Sequence, residues 1–157
     1  MHKITPFLWF DDQAEEAMNF YVSLFKNSRI GQVSRYGDGG RGEPGKVMTA
    51  SFELDGQPFT ALNGGPHFKF NEAVSFYVDC ENQAEVDRLW DALISDGGSP
   101  SQCGWLKDRY GVSWQIVPAA LPRLLSDPDR ERAGRAMQAM LKMIKLDVAA
   151  LEAAAAG

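Results

Sequence analysis

Cys103 and His67 are the side chains whose types could supply nucleophilic or acid–base chemistry. Cys103 opens the segment Cys103-Gly104-Trp105-Leu106-Lys107, where strand alternation would put Cys103, Trp105 and Lys107 on one side. A thiol becomes a nucleophile when a cation, a base or a helix N-terminus lowers its pKa, and Lys107 and Arg109 are the nearest cations in sequence. Packing is the commoner fate of such a cysteine. His67 stands in a loop, where an imidazole is more often solvated than engaged, yet it could serve as a base at the mouth of a cleft. With only two cysteines, Cys80 and Cys103, no disulfide framework or metal-pair spacing is expected, and both should be reduced thiols.

One stretch looks like a phosphate cradle. Gly37-Asp38-Gly39-Gly40-Arg41-Gly42 reads as G-x-G-x-x-G after a strand. Glu43-Pro44-Gly45 and another strand follow, so no helix N-terminus is offered to a phosphate. The Gly37–Gly45 segment is therefore expected to be a flexible inter-strand loop that could act as a flap over a cleft.

The elements around these groups occur twice. Ile4–Phe10 is β-prone, and Gln13–Phe25 carries Ala14, Ala17, Met18, Tyr21, Val22 and Phe25 at helical spacing, with Asp11 or Asp12 as the N-cap. Strands follow at 28–36, 47–54 and 57–62, the last two joined by the tight-turn pair Asp55-Gly56. Asn63-Gly64-Gly65-Pro66 breaks the pattern, which then restarts: strand 73–78, helix 83–94, and strands 103–106 and 112–117. The triplets Gln13-Ala14-Glu15 and Gln83-Ala84-Glu85 lie 70 positions apart at matching points. Such a repeat sets the architecture. Beyond Pro118 and Pro122, Met137, Met140, Leu141, Ile144, Val148 and Leu151 recur at helical spacing after Asp127-Pro128-Asp129. That stripe should pack on the body of the protein or on a second chain.

Splitting each strand into faces separates Val74, Phe76 and Val78 from Ala73, Ser75 and Tyr77, and Val112, Trp114 and Ile116 from Ser113, Gln115 and Val117. The apolar sets should meet the helices. The remainder, Ser75, Tyr77, Ser113 and Gln115, with Thr5, Phe7 and Trp9 on the first strand, suits the lining of a small-molecule cleft. A solvated sheet face and a dimer contact are the alternatives.

Composition bounds the function classes. The chain has 157 residues, 45% apolar and 24% charged, with a net charge of −5. That length suits one compact domain or two intimately packed half-domains, and the composition excludes disorder. Residues 1–120 are net −6 and residues 121–157 net +1, with the basic tail residues interleaved with acids. A solvated helix face explains that tail better than a nucleic-acid stripe. No apolar run approaches a membrane span, and the N-terminus lacks the apolar core of a secretory signal, so a cytoplasmic protein without membrane or nucleic-acid partners is expected.

Several phrases resemble one family: Ile4-Thr5-Pro6-Phe7-Leu8-Trp9-Phe10, Leu54-Asp55-Gly56-Gln57-Pro58-Phe59, Ala61-Leu62-Asn63-Gly64-Gly65-Pro66 and Gly111-Val112-Ser113-Trp114-Gln115-Ile116-Val117-Pro118. They are similar to the PhnB-like branch, labelled 3-demethylubiquinone-9 3-methyltransferase, of the vicinal-oxygen-chelate (glyoxalase, bleomycin-resistance, dioxygenase) superfamily. The likeness runs over nearly the whole chain, tail included. It implies an α+β fold of two βαβββ repeats forming a curved mixed sheet around a cleft, plus a helical C-terminal tail. The repeats would be residues 1–66 and 67–120, with the tail at 121–157, in one structural domain. It also implies a homodimer, with strands or halves possible objects of exchange between subunits.

The resemblance implies little catalytic machinery here. Where metal-using relatives place His and Glu, this chain has Thr5, Ala73 and Gln115, and a fourth position falls within Thr60–Leu62. No imidazole or carboxylate stands there, so neither a metal nor any other cofactor is expected. The leading expectation is a metal-free cleft for a small, partly aromatic molecule, lined by Thr5, Phe7, Trp9, Ser75, Tyr77, Trp105, Ser113 and Gln115. A quinone-type methyltransferase using Cys103 or His67 is the first alternative. A drug-sequestering protein of the resistance type is the second, and its cationic ligand would need an acidic cleft.

Overall fold

The computed structural model describes residues 2–157. The chain divides into two compact units, Met1–Phe70 and Asn71–Gly157. The first runs β1 (Phe7–Phe10), α1 (Ala14–Leu24), β2 (Arg29–Arg35), β3 (Val47–Leu54) and β4 (Gln57–Asn63). The second repeats that order with β5 (Ser75–Cys80), α2 (Gln83–Ile94), β6 (Ser99–Pro100), β7 (Trp105–Lys107) and β8 (Ser113–Pro118), then adds α3 (Ala120–Leu125), α4 (Arg130–Leu141) and α5 (Val148–Ala156). The sheets have matching orders, β1-β4-β3-β2 and β5-β8-β7-β6, each with a parallel first pair and antiparallel remainder. The duplicated triplets begin α1 and α2, as the repeat requires.

Alternation decides each core. In the first unit Leu8, Ala50 and Ala61 align across the sheet and are buried, as are Phe52 and Phe59, whose rings stack at 5.5 Å. Ala14, Ala17, Met18 and Tyr21 of α1 are buried with them. In the second unit Leu106, Trp114 and Phe76 form one cross-strand row, and α2 buries Val86, Leu89, Trp90 and Leu93. The expected apolar set loses one member. Val74 precedes β5 and is 68% exposed, because the strand starts at Ser75.

The tail departs most from its pattern. The stripe from Met137 to Leu151 predicts one helix, but the chain breaks over residues 142–147 between α4 and α5. Leu141 and Ile144 are more than half exposed, while Leu146, outside the stripe, is fully buried with Val117, Leu121, Leu124, Leu151 and Ala155. Backbone pairing explains the break: Cys103 and Gly104 N–H groups donate to the Met143 and Ile144 carbonyls at 2.8 Å. The 142–147 segment thus spends its polar groups on the β6–β7 connection instead of on a helix. Among the described residues no helix is long and apolar enough to cross a membrane.

Candidate functional site

Four strand ends meet at one end of the first sheet. β1 and β4 run parallel, β3 opposes β4 and β2 opposes β3, so Phe10, Asn63, Arg35 and Val47 lie at the same end. A cavity of about 1030 Å³ opens there, at the upper limit of the size of small-molecule pockets. Its lining includes Trp9 and Leu62 from the sheet, Asp11, Asp12 and Glu15 from the β1–α1 corner, and the β2–β3 loop.

Two aromatic rings frame the cavity, and both have their polar atoms occupied. Trp9 Nε1 donates to the Gly65 carbonyl at 2.9 Å, and its ring meets Phe68 edge-on at 4.8 Å. Tyr36, just past β2, donates its hydroxyl hydrogen to the Asn63 carbonyl. Glycines make room for both rings. A Cβ on Gly64 would stand 2.3 Å from the Trp9 indole, and one on Gly42 would stand 2.3 Å from the Tyr36 ring. With the indole N–H and phenol O–H spent on the backbone, the ring surfaces are what remain for a ligand.

Asn63 ties the cavity floor to the helix. Its Oδ1 accepts from Ala14 N–H at 2.8 Å, and its Nδ2 donates to the Val47 carbonyl at 3.1 Å. The expected cap from Asp11 or Asp12 is replaced: Gln13 occupies the N-cap position without a side-chain cap bond, and Asn63 supplies the acceptor from β4. The two aspartates are left facing the cavity. On the other side Arg35 donates from Nη1 to the Gly45 carbonyl at 3.1 Å, pinning the loop that carries Arg41 and Lys46.

The second unit gathers its expected residues differently. Register aligns Ser75, Ser113 and Lys107 in one row and Tyr77, Gln115 and Trp105 in the next, all on the face opposite α2. Gln115 Nε2 donates to Ser75 Oγ at 2.9 Å. Ser113 is 2% exposed, and among the described residues its Oγ has no hydrogen-bond partner. Lys107 pairs with Glu72 at 2.6 Å, which holds the Glu72 carboxyl below its ordinary value through that hydrogen bond. Tyr77 is pushed up by burial, then by Asp79 and Cys80.

Of the residues expected from sequence, Trp9 and His67 line the first-unit cavity. Thr5 precedes β1 and is exposed, and Phe7 begins the strand at 60% exposure; neither lines it. Cys103 is not on a strand. It precedes β7 with φ +58°, so the alternation expected to place it beside Trp105 and Lys107 does not reach it. Cys80 is buried, and that burial, followed by Glu85, pushes its thiol up to about 12. Tyr36, Asn63, Arg41 and Lys46 were not read as site residues. The available signal was Asn63-Gly64-Gly65: a polar residue closing a strand, followed by side chains small enough to admit an indole.

A divalent cation fits poorly. Thr5, Ala73 and Gln115, the positions at which metal ligands were sought in the sequence, carry no carboxylate or imidazole, and the Gln115 amide is bonded to Ser75. Among the described residues no group of three or more His, Cys, Asp or Glu could hold a metal ion.

Two βαβββ units with parallel β1–β4 and β5–β8 pairs define a glyoxalase-like α+β protein. Residues 2–117 match the model of the family described as 3-demethylubiquinone-9 3-methyltransferase, and the chain belongs to that family. The match stops at β8, so α3, α4 and α5 lie outside it, contrary to the expectation that the tail shares the likeness. A PhnB protein from Bacillus cereus is 42% identical, covering 75% of this chain and 100% of that chain, with a TM-score of 0.69. A protein from Pseudomonas aeruginosa shares the fold at 22% identity over 75% of this chain and 98% of that chain, TM-score 0.62. A glyoxalase/bleomycin resistance protein from Albidiferax ferrireducens is 14% identical over 72% of this chain and 95% of that chain, TM-score 0.47. No curated protein matches the chain.

Proposed function

We propose that this protein binds a small, partly aromatic molecule in the first-unit cavity, without a resident cation or other cofactor. One observation carries the reading: Trp9 and Tyr36 border the cavity with their N–H and O–H groups already bonded to Gly65 and Asn63, leaving ring surface to the ligand. Aromatic faces held in place by backbone bonds lose little entropy on binding, so a planar guest gains most of the stacking energy. The family's name denotes methyl transfer, but the G-x-G-x-x-G segment lies in the β2–β3 loop and is followed by a strand, so it does not form the glycine-rich strand–helix turn that would favour a nucleoside methyl donor.

The test uses EDTA-dialysed protein and p-cresol as a planar probe, followed by the indole N–H resonance of Trp9 assigned with Trp9→Phe. Saturable movement of that resonance is expected. No movement up to the solubility limit of the probe would overturn the reading.

A further inference from the structure

The charges around this cavity are sorted by side. In the order β1-β4-β3-β2 the strands β1 and β2 are opposite edges, three inter-strand spacings or about 14 Å apart. Asp11, Asp12 and Glu15 follow β1. Arg35 ends β2, Arg41 lies on the loop and Lys46 immediately precedes β3. Glu43, also on the loop, is the one acid that lines the cavity on the basic side among the described residues. Between the two sets stand the uncharged side chains of Trp9, Leu62, Asn63 and Tyr36, and His67 also lines the cavity.

Neither set is satisfied by the other. Among the described residues no ion pair joins Asp11, Asp12 or Glu15 to Arg35, Arg41 or Lys46. The Asn63 amide between them is turned to the backbone, its Oδ1 accepting from Ala14 N–H and its Nδ2 donating to the Val47 carbonyl. The start of α1 is unsuited to an anion, since three acids surround it and Ala14 N–H is already capped. An anionic group therefore belongs at Arg41 and Lys46, and a cationic group at the β1–α1 corner.

Building on the proposed planar guest, we infer that the cavity takes a zwitterion: a planar body over Trp9 and Tyr36, an ammonium group toward Asp12 and Glu15, and a carboxylate toward Arg41 and Lys46. A ligand with one charge satisfies one wall and leaves the other unmatched. A zwitterion complements both, and electrostatic complementarity of this kind selects among ligands of equal size.

The experiment compares four probes on the Trp9 resonance in dialysed full-length protein: 4-(2-aminoethyl)benzoate, 4-ethylbenzoate, 2-(4-methylphenyl)ethylamine and p-cresol. The zwitterion is expected to bind about threefold tighter than either singly charged probe, which lacks one of its two exposed ion pairs, and about tenfold tighter than p-cresol, which lacks both, with the advantage shrinking in high salt. Arg41→Gln with Lys46→Gln should weaken the zwitterion and the benzoate but not the amine. Asp12→Asn with Glu15→Gln should weaken the zwitterion and the amine but not the benzoate. All four positions are exposed, so the variants should fold, and their melting temperatures check this. If p-cresol binds as tightly as the zwitterion, the inference is overturned while the planar-guest reading stands. If no probe moves Trp9, both fall.

Discussion

Asn63 and Ala14 meet at 2.8 Å, side-chain Oδ1 to backbone N–H, across 49 residues of sequence. The last residue of β4 thereby caps the first turn of α1, while its Nδ2 reaches Val47 at the start of β3 and its carbonyl takes the Tyr36 hydroxyl. One residue, through its side chain and its backbone carbonyl, couples the helix, two strands and one aromatic wall of the cavity. Asn63→Ala removes the cap and a strand-end bond together and should cost roughly 1–3 kcal/mol. Asn63→Asp keeps the cap acceptor but loses the donor to Val47, so its loss should be smaller. Urea unfolding of the two variants measures the order, and an unchanged midpoint for Asn63→Ala would sink this account of the corner.

Gly64 is required by volume. A Cβ there would stand 2.3–2.7 Å from three atoms of the Trp9 indole, well inside contact distance. Gly64→Ala should displace the indole and break its bond to the Gly65 carbonyl. The expected signature is a change in Trp9 emission and in its indole N–H resonance, with p-cresol binding lost. Gly45, whose Cβ would meet nothing, has φ +86° and fails for a different reason, backbone strain.

The repeat was legible because it is written in local chemistry: amphipathic helices, Asp55-Gly56, and alternation along β3 and β8. Strand β6 was not, since two residues, Ser99 and Pro100, carry no period. The tail misled because a 3.6-residue stripe can be continued on paper through a backbone that is hydrogen-bonded to Cys103 and Gly104. The site was half legible. Trp9 announces itself as an aromatic on an amphipathic strand, whereas Tyr36 and Asn63 matter through tertiary bonds to residues that no sequence window contains.

Gln83 and Gln13 occupy equivalent positions in the repeat and do different work. Gln13 Oε1 accepts from its neighbour Asp12 at 3.3 Å. Gln83 donates to Asp87 and to the Leu146 carbonyl, both at 3.0 Å, and accepts from Val148 N–H at 2.7 Å. It clamps the tail onto α2. Gln83→Ala should release residues 146–148, costing about 2 kcal/mol for the unmet backbone groups and raising amide exchange there. Lys145, then Gln83, holds the Asp87 carboxyl below its ordinary value of 3.8, so the carboxylate's contribution is present above that pH and fades as pH falls below it. Exchange at residues 146–148 that stays as slow as in the parent would refute the clamp.

Cys80 and Cys103 should be distinguishable by reactivity. The Cys80 thiol, raised from 9.0 to about 12 by burial and Glu85, is almost wholly protonated at pH 8, and its side chain is shielded. Cys103 is partly exposed. Native protein should titrate one thiol with DTNB, unfolded protein two, and Cys103→Ser none until it unfolds. The sign of the linkage follows: the folded state holds the Cys80 proton more tightly, so stability is intact below about pH 9 and declines as pH rises toward 12. Rapid labelling of two thiols in the native state would contradict this burial.

Among the described residues the buried Ser113 hydroxyl has no hydrogen-bond partner, while Ser75, its register partner on the same sheet face, accepts from Gln115 in the next row. An orphaned hydroxyl costs more than the methyl group that would replace it. Ser113→Ala removes one oxygen and leaves the strand pairing with Ser75 and Lys107 unchanged. The variant should therefore be more stable than the parent by about 1 kcal/mol, with an unchanged urea m-value. Gln115→Leu, which strands the Ser75 hydroxyl on the same face, should lower stability. Opposite signs for two neighbouring polar-to-apolar changes are the discriminating result, because general hydrophobic gain would move both upward. A loss of stability in Ser113→Ala would mean that its hydroxyl has a partner in solution.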